Sequence, residues 1–176
     1  MKIGVVSDTH RNREYLSSAI DWMISKQRIA SLYHLGDDFD DLGDLSDTFL
    51  DVVQVPGIYD ERYKNGTLPA KIVETVLGLN ILLVHYLEKD ASDDDIQRSD
   101  IILYGHTHKE ELRLDDGKLF CNPGHMKGPM EKNAPPTFAI LGIEDRNVTV
   151  TVYNMQFRPV QTMDLIRSES GLYKTT

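Results

Sequence analysis

Lys2-Ile3-Gly4-Val5-Val6-Ser7-Asp8-Thr9-His10 sets the reading of the fold. A short apolar run with β-branched residues stops abruptly at a polar cluster, which is the pattern of a buried strand opening into a loop. Downstream, Leu16, Ala19, Ile20, Met23 and Ile24 recur at three and four residues, the stripe of an amphipathic helix, with Asn12 placed to cap its start. Ser31 to Leu35 repeats the first pattern and ends in Gly36-Asp37-Asp38. Leu42, Leu45 and Phe49 predict a short helix, and Asp51 to Val55 a third strand stopped by Pro56-Gly57. Strands alternate with helices in this half.

The second half is richer in strands. Lys71 to Leu77 alternates weakly, Gly78-Leu79-Asn80 is expected to turn the chain, and Ile81 to Val84 runs into His85. Ser92 followed by Asp93 to Asp95 is an acidic helix start. Ile101 to Tyr104 is a further apolar run, ending at Gly105. Glu111 to Leu114 and Leu119 to Cys121 flank Asp116-Gly117 as a hairpin, and Thr137 to Ile143 with Val148 to Tyr153 forms another. The runs at Ile3, Ile81 and Ile101 have the composition of strands buried on both faces. The expected fold class is α/β: two packed β-sheets flanked by helices, an α/β/β/α sandwich, in one domain spanning residues 1–176. Residues 158–176 are left open between a docked strand, a short helix and a C-terminal tail.

Composition bounds the function. The 176 residues are 40% hydrophobic and 27% charged, ordinary for a globular chain. At about 150 residues a chain hides about 70% of its unfolded surface, so a substantial core can form. No apolar run approaches the roughly 20 residues of a membrane helix, and the apolar start is too short for a secretory signal. Cys121 is the only cysteine, so no internal disulfide can form and a cytoplasmic location is expected. Against 19 Lys and Arg stand 28 Asp and Glu, a net charge of −9, which repels a phosphate backbone; nucleic acid is not an expected partner. Asp37, Asp38, Asp40, Asp41, Asp44 and Asp47 crowd one segment. They read either as a solvated acidic face or as carboxylates beside divalent cations.

Five expected strand ends carry chemistry-bearing residues: Asp8-Thr9-His10, Gly36-Asp37-Asp38, Gly57-Ile58-Tyr59-Asp60, His85, and Gly105-His106-Thr107-His108. In an open α/β sheet the loops beyond the strand carboxyl ends face one crevice. Two carboxylates and four imidazoles spread over a hundred residues can therefore meet. Each fragment alone is weak, since Asp-x-His is commonly a turn or cap and a histidine after a strand is commonly a bonded core residue. Gly-His-Thr-His is more specific, because it sets two imidazoles close together on irregular backbone.

As an ordered set these motifs resemble the calcineurin-like metallophosphoesterases, in particular their small single-domain phosphodiesterase branch, which also includes the phosphoesterase-like subunit of the retromer coat. The motifs run from Asp8 to His108, and Asn122-Pro123-Gly124 and the last hairpin fit the same branch. The resemblance implies a sandwich with two divalent metals at the strand ends. It implies that Asp8, His10 and His108 hold the first metal, that Asp37 bridges, and that His85 and His106 hold the second. The family's further ligand, the asparagine of Gly-Asn-x-Asp, is Ile58 here, which has no donor atom; the aspartate of that motif is Asp60, and the usual leaving-group histidine is Tyr59. A second site of three protein ligands plus water can still bind metal, with weakened occupancy. His125, after Asn122-Pro123-Gly124, is left open between a substrate-facing residue and an exposed loop histidine.

The resemblance implies a metal-dependent phosphoesterase acting on a phosphodiester or phosphomonoester through a metal-activated hydroxide. Asp60 and Arg11 are the candidate catalytic residues outside the ligand set, Arg11 as a donor to phosphoryl oxygens. The mixed imidazole and carboxylate set suits manganese, the expected ion, or iron, zinc or nickel. The partner is then a small phosphorylated substrate; a homo-oligomer is left open. The rival reading is a weak or inactive scaffold of the same fold that binds a protein partner.

Overall fold

The computed structural model describes residues 1–47, 50–131 and 133–175. β1 (Lys2–Val6) leads into α1 (Arg13–Trp22), whose first turn is capped by the Asn12 side chain accepting the Tyr15 N–H at 3.2 Å. The helix widens into a π turn (Met23–Gln27) and stops at Arg28, whose φ is 56°. β2 (Ser31–His34) pairs in parallel with β1, and β3 (Asp51–Gln54) with β2. Between them Phe39–Asp47 forms a 3₁₀ helix; Phe49, expected in a helix here, lies outside the described residues.

After α2 (Glu61–Lys64) come the antiparallel β4 (Lys71–Val76) and β5 (Leu79–Val84). The turn sits at Leu77-Gly78, with φ of 47° and 77°, so Leu79 and Asn80 belong to β5 and not to the turn expected there. Leu79 is buried in the core, which draws it into the strand. Two short helices, α3 (Leu87–Asp90) and α4 (Asp93–Gln97), precede β6 (Ile101–Leu103). Ser92 and Asp95 close a reciprocal capping box on α4. The hairpin β7 (Glu111–Asp115) and β8 (Lys118–Asn122) follows, then β9 (Thr137–Ile143) and β10 (Asn147–Asn154). Residues beyond 158 form β11 (Pro159–Ser168) and β12 (Gly171–Lys174), paired onto β10 as the edge of the first sheet.

The strands make two mixed sheets, ordered β12-β11-β10-β9-β1-β2-β3 and β4-β5-β6-β8-β7. Side chains alternate between faces, and the alternation assigns the layers. The inner faces of both sheets share one apolar core: Ile3, Val5 and Leu141 from the first, Ile81, Leu83 and Ile101 from the second. Val6, Phe138 and Ile140 face outward onto Leu16, Ile20 and Met23 of the first helical segment. Leu82, Val84, Ile102 and Phe120 face outward onto Leu87, Ala91 and Ile96. The result is the expected helix–sheet–sheet–helix sandwich. Among the described residues no helix is long and apolar enough to cross a membrane.

Candidate metal centre

The parallel strands β1, β2 and β3 of one sheet and β5 and β6 of the other all end at the same rim, and their following loops meet there. Two glycines make the approach possible. A Cβ on Gly57 would collide with Asp37 Oδ1, and one on Gly105 would collide with Ser7 Oγ. Backbone strain gathers at the same place. Asp8, His10, Asp37, His106 and His108 have φ of 52°, 47°, 55°, 69° and 63°, a left-handed region that residues with a Cβ enter only where surroundings hold them.

Asp8, His10, Asp37 and His108 offer ligand atoms that all lie within 4.8 Å of one another. His10 Nε2 is 3.1 Å from His108 Nε2 and 3.5 Å from Asp37 Oδ2. At that separation two imidazole nitrogens either share a proton or turn lone pairs toward a common cation. Asp8 is fully buried; its Oδ2 accepts the Ser7 hydroxyl at 2.5 Å and the His106 N–H at 3.0 Å. Its Oδ1 lies 3.1 Å from His108 Nε2 without a well-formed hydrogen bond. Burial alone would raise the Asp8 pKa, but the close His108 ring, the neighbouring His85 ring and the Ser7 hydroxyl together outweigh it and hold the carboxyl below its ordinary value.

His85 reaches the cluster from the second sheet. Its Nδ1 donates to the Leu35 carbonyl at 2.7 Å, which leaves Nε2 as a bare lone pair, buried, without a hydrogen-bond partner and 3.4 Å from Asp37 Oδ1. That fixed tautomer is the arrangement of a ligating histidine. His106 stands farther out: its ring stacks on Tyr86 at 4.1 Å and meets His85 edge-on at 5.2 Å. Buried orphan atoms on Asp8 and His85, beside a mixed set of imidazoles and carboxylates, fit a divalent cation.

The sequence model of the calcineurin-like phosphoesterase superfamily domain matches residues 1–146. The chain belongs to that superfamily. Solved structures of the same fold include the Escherichia coli phosphoesterase YfcE, 16% identical, with a TM-score of 0.70 over 92% of this chain and 98% of that one. A novel archaeal phosphodiesterase, 18% identical, aligns with a TM-score of 0.65 over 95% and 100% of the two chains. Vps29 from Entamoeba histolytica in complex with Zn²⁺, 23% identical, aligns with a TM-score of 0.65 over 94% and 99%.

Around this centre the remaining predicted residues divide. Arg11 is 85% exposed at the mouth, its Nε donating to Asp38 Oδ1 at 3.1 Å. Asp60 caps α2 through the Arg62 N–H at 2.8 Å, and its other oxygen takes the Arg62 guanidinium at 2.7 Å, which holds its pKa below the ordinary value. Arg62 also grips Asp40 and lies over the Phe39 ring. Ile58 is half-buried beside Gly57, and Tyr59 is exposed. A cleft of about 840 Å³ opens between His10, Arg11, Asp37, Phe39, Tyr59 and Arg62. A hollow of about 810 Å³ against Lys2, Arg28, Thr149 and Tyr153 holds none of the candidate ligands.

His125 is neither exposed nor free to meet substrate. It is fully buried, Nε2 donating to the Ala134 carbonyl at 3.0 Å and Nδ1 accepting the Lys127 N–H at 3.2 Å, with its ring 5.5 Å from that of His108. Three supporting residues were not singled out in the sequence: His34, which went unnamed, and Thr9 and Asp41, which figured only within a motif and an acidic segment. All are buried under the ligand loops. Burial pushes the His34 pKa down to about 4. The available signal was a polar residue closing an otherwise apolar strand, Ser31-Leu32-Tyr33-His34.

Proposed function

We propose that the chain is a metal-dependent phosphoesterase hydrolysing small phosphorylated substrates, with an active centre at the rim shared by the two sheets. The observation that carries it is the convergence of Asp8, His10, Asp37 and His108 within 4.8 Å, beside buried atoms that have no protein partner. Polar atoms buried without partners are costly, so a cluster of them calls for a ligand. Asp8, His10 and His108 would hold one cation, Asp37 would bridge, and His85 and His106 would take a second; manganese is the expected ion.

Divalent cations bound there supply Lewis acidity toward a phosphoryl oxygen and a water acidic enough to attack at neutral pH. The chain's own groups do the rest. Burial, more than any neighbouring charge, lowers the His10 pKa, so its imidazole is uncharged near neutrality and keeps a lone pair for the site. Arg11 can swing from Asp38 to meet phosphoryl oxygens, since an exposed ion pair is weak. Tyr59 stands at the cleft mouth, in the place where the resemblance puts a histidine that assists the leaving group. Slow hydrolysis favouring good leaving groups follows.

The test is release of nitrophenolate from bis(4-nitrophenyl) phosphate. Turnover is expected with added Mn²⁺ and is expected to stop with chelator. No turnover with Mn²⁺, Fe²⁺, Zn²⁺ or Ni²⁺ would overturn the enzymatic reading. It would favour the second one, a protein-binding scaffold, to which the donorless Ile58 lends support.

A further inference from the structure

The loops that carry His10 and Asp37 hold a backbone that side chains resist, with positive φ at Asp8, His10, Arg11, Asp37 and Asp38. Something outside the ligand set must hold it. Asp41 lies on the 3₁₀ helix, its side chain 5% exposed, and a single oxygen of it, Oδ2, accepts the Thr9 hydroxyl at 2.7 Å and the Arg11 N–H at 2.9 Å. His10 is the residue between those two donors. The same Thr9 hydroxyl lies 3.1 Å from the Asp37 carbonyl, the alternative acceptor for its one proton, so Thr9 sits between the His10 and Asp37 loops. Behind it, His34 Nδ1 accepts the Gly36 N–H at 3.3 Å, which places the ring proton on Nε2, facing Thr9 Oγ1 at 3.5 Å. The Thr9 hydroxyl and the Arg11 N–H both end on Asp41 Oδ2.

We propose that Asp41 is a positioning residue for His10, acting as a hydrogen-bond acceptor that fixes the turn on both sides of it; the proposal rests on the metal reading above. Asp41 is not among the groups that converge at the candidate cation site, and its Oδ1 meets the exposed Arg13 Nε at 3.8 Å, a weak ion pair. It works by geometry, so an uncharged acceptor of the same shape should replace it, whereas a carboxylate acting at a distance through its charge could not be replaced so.

Two readouts test this on the full chain stripped with chelator. The first is Mn²⁺ affinity by titration calorimetry. The second is hydrogen exchange of the Arg11 amide by NMR, which needs no metal. Asp41→Ala is expected to weaken Mn²⁺ binding by about 10- to 100-fold, the usual effect of losing an outer partner of a ligand, and to speed Arg11 exchange. Asp41→Asn is expected to stay close to wild type in both. Thr9→Val, which removes the hydroxyl at nearly constant shape, is expected to weaken Mn²⁺ binding and serves if Asp41→Ala does not fold. Wild-type affinity in Asp41→Ala or Thr9→Val, or an Asp41→Asn variant as impaired as Asp41→Ala, would overturn the proposal. Should the wild-type chain take up no Mn²⁺, the metal reading fails, and Arg11 exchange in the variants still decides whether Asp41 holds the turn.

Discussion

What separates a candidate ligand from a core histidine here is the state of two ring nitrogens. His125 has both bonded, to Ala134 and Lys127, whereas His85 has one bonded and one bare. The His85 partner, Leu35, is fifty residues away, and those of His125 depend on how its own loop folds back, so local sequence could not sort the histidines, and His125 stayed open. Only the resemblance carried by the ordered motifs proposed which of them are ligands, and it also marked the gap at Ile58. Ile58→Asn, which restores a donor, is expected to raise diester turnover or tighten binding of a second Mn²⁺; an unchanged rate and stoichiometry would remove Ile58 as the cause of slow chemistry. His34 gives a pH prediction. Its pKa falls from 6.5 to about 4 on folding, because burial disfavours the charged ring. The unfolded chain therefore binds the extra proton, and stability present above pH 6.5 is lost as the pH falls toward 4, about 3 kcal/mol in full and about 2 kcal/mol by pH 5. Asp8 has its own linkage, losing its share only as the pH falls below its ordinary value of 3.8, outside that window. Urea unfolding at pH 7.5 and pH 5 should show a smaller loss in His34→Gln than in wild type, and equal losses would refute the assignment.

At the scale of elements, the site depends on how closely the loop after β3 can approach the loop after β2. Gly57→Ala would drive a methyl into Asp37 Oδ1. We expect a stability cost of about 1–3 kcal/mol, as for other overpacking, with Mn²⁺ affinity reduced at least tenfold. Gly128→Ala, with nothing within 4 Å, is the matched control and should change neither quantity. Equal behaviour of the two in calorimetry and urea unfolding would show that the close approach is dispensable. The strands that build this rim were legible because each is short, apolar and cut off by a polar loop: Ile3 to Val6, Ile81 to Val84 and Ile101 to Leu103 are all buried. β11 was not legible. Of its ten residues only Leu165 is buried, with Met163 partly packed against the same core, because its outer face meets solvent, and two apolar contacts are too few for a periodicity to read. The turn before β5 was misplaced for a related reason, since Gly78 marks a turn without saying which neighbour continues it.

For the whole molecule, the candidate centre joins two halves whose shared interior is apolar packing. Asp8, His10 and Asp37 follow strands of one sheet; His85, His106 and His108 follow strands of the other. A cation bound by both sets would link the sheets at the rim and offset carboxylates in a chain of net charge −9. Because the unfolded chain scatters these ligands, binding stabilises only the folded state. At a free concentration one hundred times the dissociation constant the gain is about 2.7 kcal/mol. For a chain of about this size each kcal/mol moves the melting midpoint by about 2–4 °C, so saturating Mn²⁺ should raise it by about 5–10 °C and chelator should reverse the rise. The double variant His85→Ala/His108→Ala removes ligands from one sheet only and leaves those of the other in place. If the cation ties the sheets together, the variant loses the Mn²⁺-dependent rise, although three candidate ligands remain on the first sheet. A rise of wild-type size in that variant would place the bound metal elsewhere, and no rise in the wild-type chain would show that the rim holds no cation.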